Sequence, residues 1–179
     1  MPQSRATRGC IRSSVEKLTR LPLTGWNALL GAVRTKTSLP DDIREIAICR
    51  PALINEAWFE WNAHAPILAR AAGFSDEKLS VVKELHPTAQ GALDDRQWAV
   101  LRYADAMTRS VKVAQSLFDE VKAAGFSEQE MVELTVTVAS YNMVSRFLVA
   151  LDVGEQNGKA PEFAAKVVNP TGTDDKIQS

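Results

Sequence analysis

Acidic, imidazole and aromatic side chains are concentrated in the segment 55–66 of this chain. If that segment is helical, Glu56, Glu60 and His64 recur every four residues and lie along one face. Three aromatic residues between positions 58 and 61 would place apolar ring surface beside this face. In such surroundings the carboxyl group of Glu60 would stay protonated near neutral pH, as a general acid requires. A Glu–His pair one turn apart could also pass a proton between its members, so the spacing indicates acid–base chemistry.

The same segment has plainer interpretations. A Glu four residues before a His is often only a helix-surface pair, and aromatic residues at this density more often form a core or an oligomer contact than a pocket. A metal site is less favoured still. Glu-x3-Glu-x3-His differs from the His-Glu-x-x-His spacing of zinc proteases, and the chain lacks the Glu-x-x-His pairs that a di-iron bundle needs. We therefore expect neither a metal nor another cofactor.

The composition excludes several classes of protein. The 21 basic and 22 acidic residues nearly cancel, so nothing draws the chain generally to nucleic acid or to an anionic membrane. No apolar run reaches the roughly 18 residues that a membrane span needs. Two cysteines, Cys10 and Cys49, cannot form a disulfide framework. Two histidines, His64 and His86, exclude a three-histidine metal site within one chain.

The compartment follows from the same counts and from the N-terminal segment. Residues 1–20 hold five basic side chains against one acid. An Arg- and Ser-rich, acid-poor start is typical of mitochondrial transit peptides, but no clear amphipathic stretch follows Met1. We expect a cytoplasmic protein with a flexible basic tail, and a mitochondrial protein is the alternative.

Helix start signals dominate the rest of the chain. The stretch 38–42, Ser-Leu-Pro-Asp-Asp, combines a capping hydroxyl, an early proline and two acids. Asp94 to Gln97 and Ser127 to Glu130 match capping boxes, and the second box opens a long helix that ends near Leu151. No stretch alternates strictly enough for a sheet. The sequence therefore predicts an all-α bundle of six or seven helices.

An internal echo supports this organisation. Residues 71–76 (Ala-Ala-Gly-Phe-Ser-Asp) resemble residues 123–128 (Ala-Ala-Gly-Phe-Ser-Glu). Each predicts a helix end with a left-handed glycine, followed by a serine that caps the next helix. The echo is compatible with an old duplication or with two ordinary helix junctions. We expect one helical domain over residues 21–168 and a second flexible tail over residues 169–179.

A larger pattern resembles a known family. Arg44 and Glu45 are followed by Glu60 and Trp61 at fifteen and sixteen residues after Glu45, and by His64 at nineteen. This resembles the carboxymuconolactone decarboxylase family, of the alkyl hydroperoxidase D-like superfamily, which has Arg-Glu on one helix and Tyr-Glu-Trp-x-x-His on the next. The later residues that match its C-terminal segment are Tyr141, Asn142 and Arg146. The resemblance covers roughly residues 22–151.

The resemblance implies an alkyl hydroperoxidase D-like helical fold and cofactor-free acid–base chemistry on a small carboxylated lactone or a similar ring. His64 and Glu60 are then the acid–base candidates, and Glu45 relays a proton or orients His64. Trp61 and Tyr141 would line the pocket. For Arg146 we predict one of two roles. Its guanidinium could bind a substrate carboxylate through two parallel hydrogen bonds, or it could form an ordinary ion pair on the helix surface.

The chain departs from both branches of the superfamily. Phe59 stands where the decarboxylase has Tyr. Alkyl hydroperoxidase D has a Cys-x-x-Cys pair whose two positions fall here at Ala57 and Glu60, and Cys49 is out of register. A thiol peroxidase needs a thiolate and a resolving partner, so that activity is disfavoured.

Other functions remain compatible with the sequence. The chain could be a cofactor-free isomerase or lyase of specialised metabolism, or a non-catalytic member that binds a ligand. The resemblance also implies association into a homotrimer or homohexamer, with a small-molecule carboxylic acid as substrate. We expect neither a nucleic-acid partner nor a membrane partner.

Overall fold

The computed structural model describes the backbone of residues 20–164 and the side chains from residue 24 onward. This part of the chain forms seven α-helices and one short 3₁₀ turn, without a β-strand, which confirms the all-α prediction. The elements are α1 (Arg20–Thr35), α2 (Asp41–Ile54), α3 (Trp58–Leu68), α4 (Asp76–Lys83), α5 (Asp95–Ser110), α6 (Gln115–Ala123), α7 (Glu128–Ala150) and the 3₁₀ turn Val153–Glu155. Within these bounds no helix combines the length and apolarity of a membrane span. The predicted tails, and with them the transit-peptide alternative, lie outside the described residues.

Helix α2 is the central element, because it packs against α5, α3 and α7 at once. Its residues 46–49 are inaccessible to solvent on every side. Glu45 and Arg50 on this helix are buried as well, at 3% and 0% exposure. A buried charge is costly unless it is paired or hydrogen-bonded, so each of these side chains needs partners from the surrounding helices.

Arg50 finds its partners within the core. Its guanidinium donates two hydrogen bonds to the Asp105 carboxylate on α5, at 2.6 and 2.7 Å. It also donates to the backbone carbonyls of Val82 and Glu84, at the end of α4. One arginine therefore ties α2, α4 and α5 together, and no motif or spacing predicted this contact.

The two predicted capping boxes are present. Asp94 caps α5 and is paired reciprocally with Gln97, and Ser127 caps α7 and is paired with Glu130. The start of α2 differs, since Pro40 occupies the cap and no side chain caps the helix. Ser38 was predicted to supply the capping hydroxyl, but its amide and hydroxyl both donate to the Glu133 carboxylate of α7.

The echoed junctions are only partly alike. Gly73 and Gly125 both have positive φ, at 71° and 88°, and a serine caps the helix after each. Gly125 follows α6 directly, as predicted. Helix α3 already ends at Leu68, so Gly73 closes a separate turn and is not the C′ residue of that helix.

Candidate active site

The buried carboxylate of Glu45 on α2 meets the imidazole of His64 on α3. The distance between Oε2 of Glu45 and Nδ1 of His64 is 2.7 Å, and both residues are buried. An ionised carboxylate can only accept a hydrogen bond, so the proton of this bond lies on Nδ1. In a neutral ring, Nε2 is then unprotonated and faces away from Glu45 as an acceptor.

Tyr141 of α7 is the hydrogen-bond partner of Nε2, the second ring nitrogen of His64. Its hydroxyl oxygen lies 3.2 Å from Nε2, and the two rings meet edge-on with their centroids 5.1 Å apart. Burial raises the pKa of the Tyr141 hydroxyl to about 12, with the charge of Glu45 acting in the same direction. The hydroxyl therefore keeps its proton and donates it to Nε2 of a neutral His64. Three helices thus supply one continuous chain of hydrogen bonds.

Arg34 acts on this chain through its charge. The positive charge of its guanidinium partly offsets the rise in the pKa of the Tyr141 hydroxyl. The residue belongs to the last turn of α1, where the helix dipole favours a cation, and it is exposed. Sequence reasoning missed Arg34, because no motif or spacing connects it with the segment 55–66.

Glu60 is buried next to this chain, at 2% exposure, and contacts Ser145 of α7. The Ser145 hydroxyl oxygen lies 3.2 Å from both carboxyl oxygens of Glu60 and 2.6 Å from the backbone carbonyl of Tyr141. Burial raises the pKa of Glu60 well above its usual value, as predicted for a general acid. A serine has one hydroxyl proton, and the shortest contact directs it to the Tyr141 carbonyl. The weaker contact from Ser145 to Glu60 only partly offsets the effect of burial on the Glu60 pKa.

The predicted stripe of Glu56, Glu60 and His64 is incomplete. Helix α3 begins only at Trp58, and Glu56 lies in the preceding turn with a positive φ of 54° and an exposed side chain. His64 does not pair with Glu60 directly either, since its two nitrogens face Glu45 and Tyr141. Glu60 and His64 are linked only through Tyr141 and Ser145.

Two further predicted site residues lie apart from the chain of hydrogen bonds. Trp61 is buried in the main core and packs on Phe163, with ring centroids 5.3 Å apart. Arg146 is exposed and donates to both the backbone carbonyl and the side-chain oxygen of Asn142, at 2.9 and 2.6 Å. Neither is a hydrogen-bond partner of His64 or Tyr141 in the described part of the chain.

Arg44 and Cys49 flank Glu45 on α2. The Arg44 guanidinium pairs with Asp41 at 2.6 Å, and its buried Nε, 3.6 Å from the second oxygen of Glu45, has no hydrogen bond. It adds positive charge beside the Glu45 carboxylate. The thiol of Cys49 is fully buried, and burial, together with the charge of Glu45, raises its pKa well above the usual value. This thiol is therefore neutral and a poor nucleophile.

The donor set does not form a metal site. Over residues 24–164, no group of three His, Cys, Asp or Glu side chains is arranged to hold a metal ion. The contacts between Glu45, His64 and Tyr141 join an acid, a base and a hydroxyl in sequence. Such an arrangement can accept a proton at one end and release it at the other.

Comparison with known proteins identifies the fold. No family model matches the chain, and no curated protein matches its sequence. A solved structure from Agrobacterium tumefaciens, a protein of unknown function proposed to be the antioxidant defence protein AhpD, superposes with a TM-score of 0.64 at 21% identity, covering 76% of this chain and 91% of its own. The chain has the alkyl hydroperoxidase D-like fold. An uncharacterised peroxidase-related protein from Silicibacter sp. TM1040 also superposes with a TM-score of 0.64, at 19% identity and 85% coverage of each chain.

Proposed function

We propose that this protein with the alkyl hydroperoxidase D-like fold is a cofactor-free carboxy-lyase, which acts by acid–base catalysis on a small carboxylated lactone or a related ring acid. The observation that carries the proposal is the chain of hydrogen bonds from Glu45 through His64 to the Tyr141 hydroxyl. Decarboxylation breaks the bond between carbon and the carboxylate, releases CO2 and leaves an electron pair delocalised through the conjugated ring. A proton must then reach that ring.

The hydrogen-bond chain can deliver this proton. When His64 is protonated, Nδ1–H donates to Glu45, Nε2–H donates to the Tyr141 oxygen, and the Tyr141 hydroxyl is free to donate outward. Transfer of the Tyr141 proton to the ring is then balanced by transfer of the Nε2 proton to Tyr141. The negative charge of Glu45 stabilises the imidazolium, and solvent restores its proton after turnover.

Glu60 supports the proposal in a second way. Burial raises the pKa of this carboxyl group and so favours its neutral form, which adds no negative charge that would repel an acidic substrate. It also contacts Ser145, whose hydroxyl bonds the backbone carbonyl of Tyr141 one turn earlier on α7. We assign Glu60 the role of a neutral positioning group or of a second proton donor. Trp61, which packs on Phe163, fits a core residue that stabilises the packing of α3.

A cofactor-free isomerase is the second candidate. The Tyr141 hydroxyl contacts the acceptor nitrogen of His64 and is influenced by the positive charge of Arg34. A residue in that position can remove a proton from one carbon of a ring and return it to another without loss of CO2. A thiol peroxidase is not favoured, since Cys49 is buried and the pKa of its thiol is raised.

We also propose that the protein forms a homotrimer or homohexamer. Helix α7 exposes four large apolar side chains on one face: Val132, Val136, Met143 and Phe147. Exposed apolar patches of this kind often mark contacts between proteins. A small-molecule carboxylic acid remains the expected substrate, and the cytoplasm remains the expected compartment.

A turnover screen tests the proposed function. Carboxylated lactones and related ring acids are incubated with the protein, and release of CO2 is followed. We expect release from at least one acid and a loss of at least about 10²-fold in kcat for His64→Ala, the low end for a positioned acid–base group. His86→Ala, an exposed histidine outside the site, is the matched control. No release from any acid would overturn the carboxy-lyase, and ring isomerisation without CO2 would favour the isomerase.

A further inference from the structure

We propose that helix α1 is a lid over the Tyr141 end of the hydrogen-bond chain, and that it uncovers the site by local unfolding. This inference rests on the proposed function only for the need of a ligand to reach Tyr141. Three features of the structure support it: the burial of the reacting groups, the packing of α1 in an apolar cluster apart from the main core, and two glycines within α1 that its packing does not require.

The reacting groups are closed off from solvent. Glu45, Glu60 and Tyr141 are each 3% exposed or less, and His64 is 9% exposed. A ring acid cannot come within hydrogen-bonding distance of a hydroxyl that is buried in this way. Part of the protein must therefore move before a ligand can touch Tyr141, and we expect that movement in an element that packs over this residue.

Helix α1 packs over Tyr141. Its residues Leu30 and Val33, 4% and 3% exposed, form a small apolar cluster with Ile48 of α2 and with Tyr141 and Val144 of α7. The main core of the protein is a separate cluster. Local unfolding of α1 would therefore expose the small cluster and leave the main core packed.

The chain that follows α1 is fixed in place. The amide and hydroxyl of Ser38 donate to the Glu133 carboxylate of α7, at 2.8 and 2.7 Å, and Leu39 is buried in the main core. These contacts do not involve α1, so they can hold the start of α2 while α1 opens. The pair of Glu45 and His64 is then preserved in the open state.

Two glycines lower the stability of α1. Gly25 and Gly31 lie inside the helix, neither has a positive φ, and a Cβ added at either would meet no atom of another helix within 4 Å. Neither backbone geometry nor close packing therefore requires glycine at these positions. A glycine inside a helix is less favourable than alanine, because it loses more backbone freedom on folding. Both glycines thus favour the unfolded, open state of the lid.

Thiol labelling beneath α1 tests the inference without turnover. In a Cys10→Ser background, Val144→Cys places a thiol in the small cluster, and Val138→Cys places one in the main core on the same helix. Each variant is treated with iodoacetamide at concentrations where the rate is proportional to the reagent, and modification is read by peptide mass spectrometry. We expect position 144 to react at least about tenfold faster than position 138, because only the former is exposed by local unfolding.

Substitution of the glycines gives the second arm. Gly25→Ala with Gly31→Ala should slow labelling at position 144 roughly five- to thirtyfold, because alanine stabilises the closed helix. Gly158→Ala is the matched control, since an added Cβ there also meets nothing within 4 Å but the residue lies outside α1. It should leave the rate at position 144 unchanged. Amide hydrogen exchange of α1 and α7 in the wild type gives the same comparison if Val144→Cys does not fold.

Two results would overturn the inference. Equal labelling at positions 144 and 138 would mean that α1 opens only when the whole protein unfolds. An unchanged rate at position 144 in the double alanine variant would mean that unfolding of α1 does not expose it. Neither measurement needs a substrate, so the two proposals fail separately: a lid that opens without CO2 release from any acid would overturn only the carboxy-lyase.

Discussion

The Nδ1 atom of His64 lies 2.7 Å from the Oε2 atom of Glu45, and both residues are buried. This contact fixes which ring nitrogen carries the proton when His64 is neutral. It also holds the ring so that its other nitrogen faces α7. The orientation of the whole hydrogen-bond chain depends on this one pair.

The first prediction concerns the tautomer of His64. In the neutral ring, ¹⁵N NMR should show the proton on Nδ1, and Glu45→Gln should abolish this preference, because an amide can donate to Nδ1 as well as accept from it. The same variant should lose at least about 10²-fold in kcat. The exposed His86 serves as the internal reference. A wild-type His64 protonated on Nε2 would contradict the proposed direction of the chain.

The second prediction separates the Tyr141 hydroxyl from ordinary core packing. Tyr141→Phe should lose about 1 kcal/mol of unfolding free energy and nearly all turnover, because the ring stays while the proton donor is lost. Tyr103→Phe is the matched control, since Tyr103 is also buried and its hydroxyl bonds Thr135 at 2.9 Å. It should lose similar stability and keep its turnover. Full turnover in Tyr141→Phe would exclude a proton-transfer role for that hydroxyl.

Spacing within one segment predicted those parts of the site that a single helix positions. Glu60 and His64 share α3, and both are buried on it. The prediction that Glu56 shares this helix face was wrong, because α3 starts two residues after Glu56. The periodicity of side chains alone does not show where a helix begins. The resemblance added Glu45, which lies on another helix.

The contacts between helices could not be read from the sequence. Tyr141 was predicted as a site residue, but its contact with His64 and the places of Ser145 and Arg34 depend on how α7 and α1 cross α2 and α3. Helix crossings follow from the packing of many side chains rather than from a local pattern. The Arg50–Asp105 pair was missed for the same reason. Capping boxes are local, and both were predicted correctly.

A third prediction follows from the raised pKa of Glu60. Its pKa in the folded protein lies well above the unfolded value of 4.5, so the folded state binds the proton more tightly. The contribution of Glu60 to stability is present below about pH 4.5 and is lost as the pH rises toward the folded pKa. Glu60→Gln mimics the protonated group, so its stability relative to wild type should increase between pH 4.5 and pH 8 in urea unfolding.

Glu130 provides a control of opposite sign. Its pKa is lowered, first by the backbone hydrogen bond from Ser127 and then by Arg96. The stability that its charge contributes is present above the unfolded pKa and is lost as the pH falls through the folded pKa. Glu130→Gln should therefore gain no advantage over wild type on raising the pH. Parallel behaviour of the two variants would argue against a neutral Glu60.

A fourth prediction concerns the Arg50–Asp105 pair. Arg50→Met leaves the Asp105 carboxylate without its main partner and should cost about 3–5 kcal/mol of unfolding free energy. Asp105→Asn keeps the size of the side chain and covers the case in which Arg50→Met does not fold. Arg102→Met removes the exposed pair with Glu120 and should change stability by no more than about 0.5–1 kcal/mol. If Arg50→Met and Arg102→Met lost the same unfolding free energy in urea, the buried pair would contribute no more to stability than the exposed pair.

The last prediction concerns assembly through α7. Val132 and Val136 are 68% and 39% exposed and lie one turn apart, on the face that also carries Met143 and Phe147. If this face joins subunits, light scattering at micromolar concentration should give a trimeric or hexameric mass for wild type. The double variant Val132→Glu, Val136→Glu should then shift the mass toward the monomer, because charges would be buried in an apolar contact. Val111→Glu, at an 81% exposed position after α5, is the control and should leave the mass unchanged. A monomeric wild type would rule out the assembly, and an intact oligomer in the double variant would place the contact on another face.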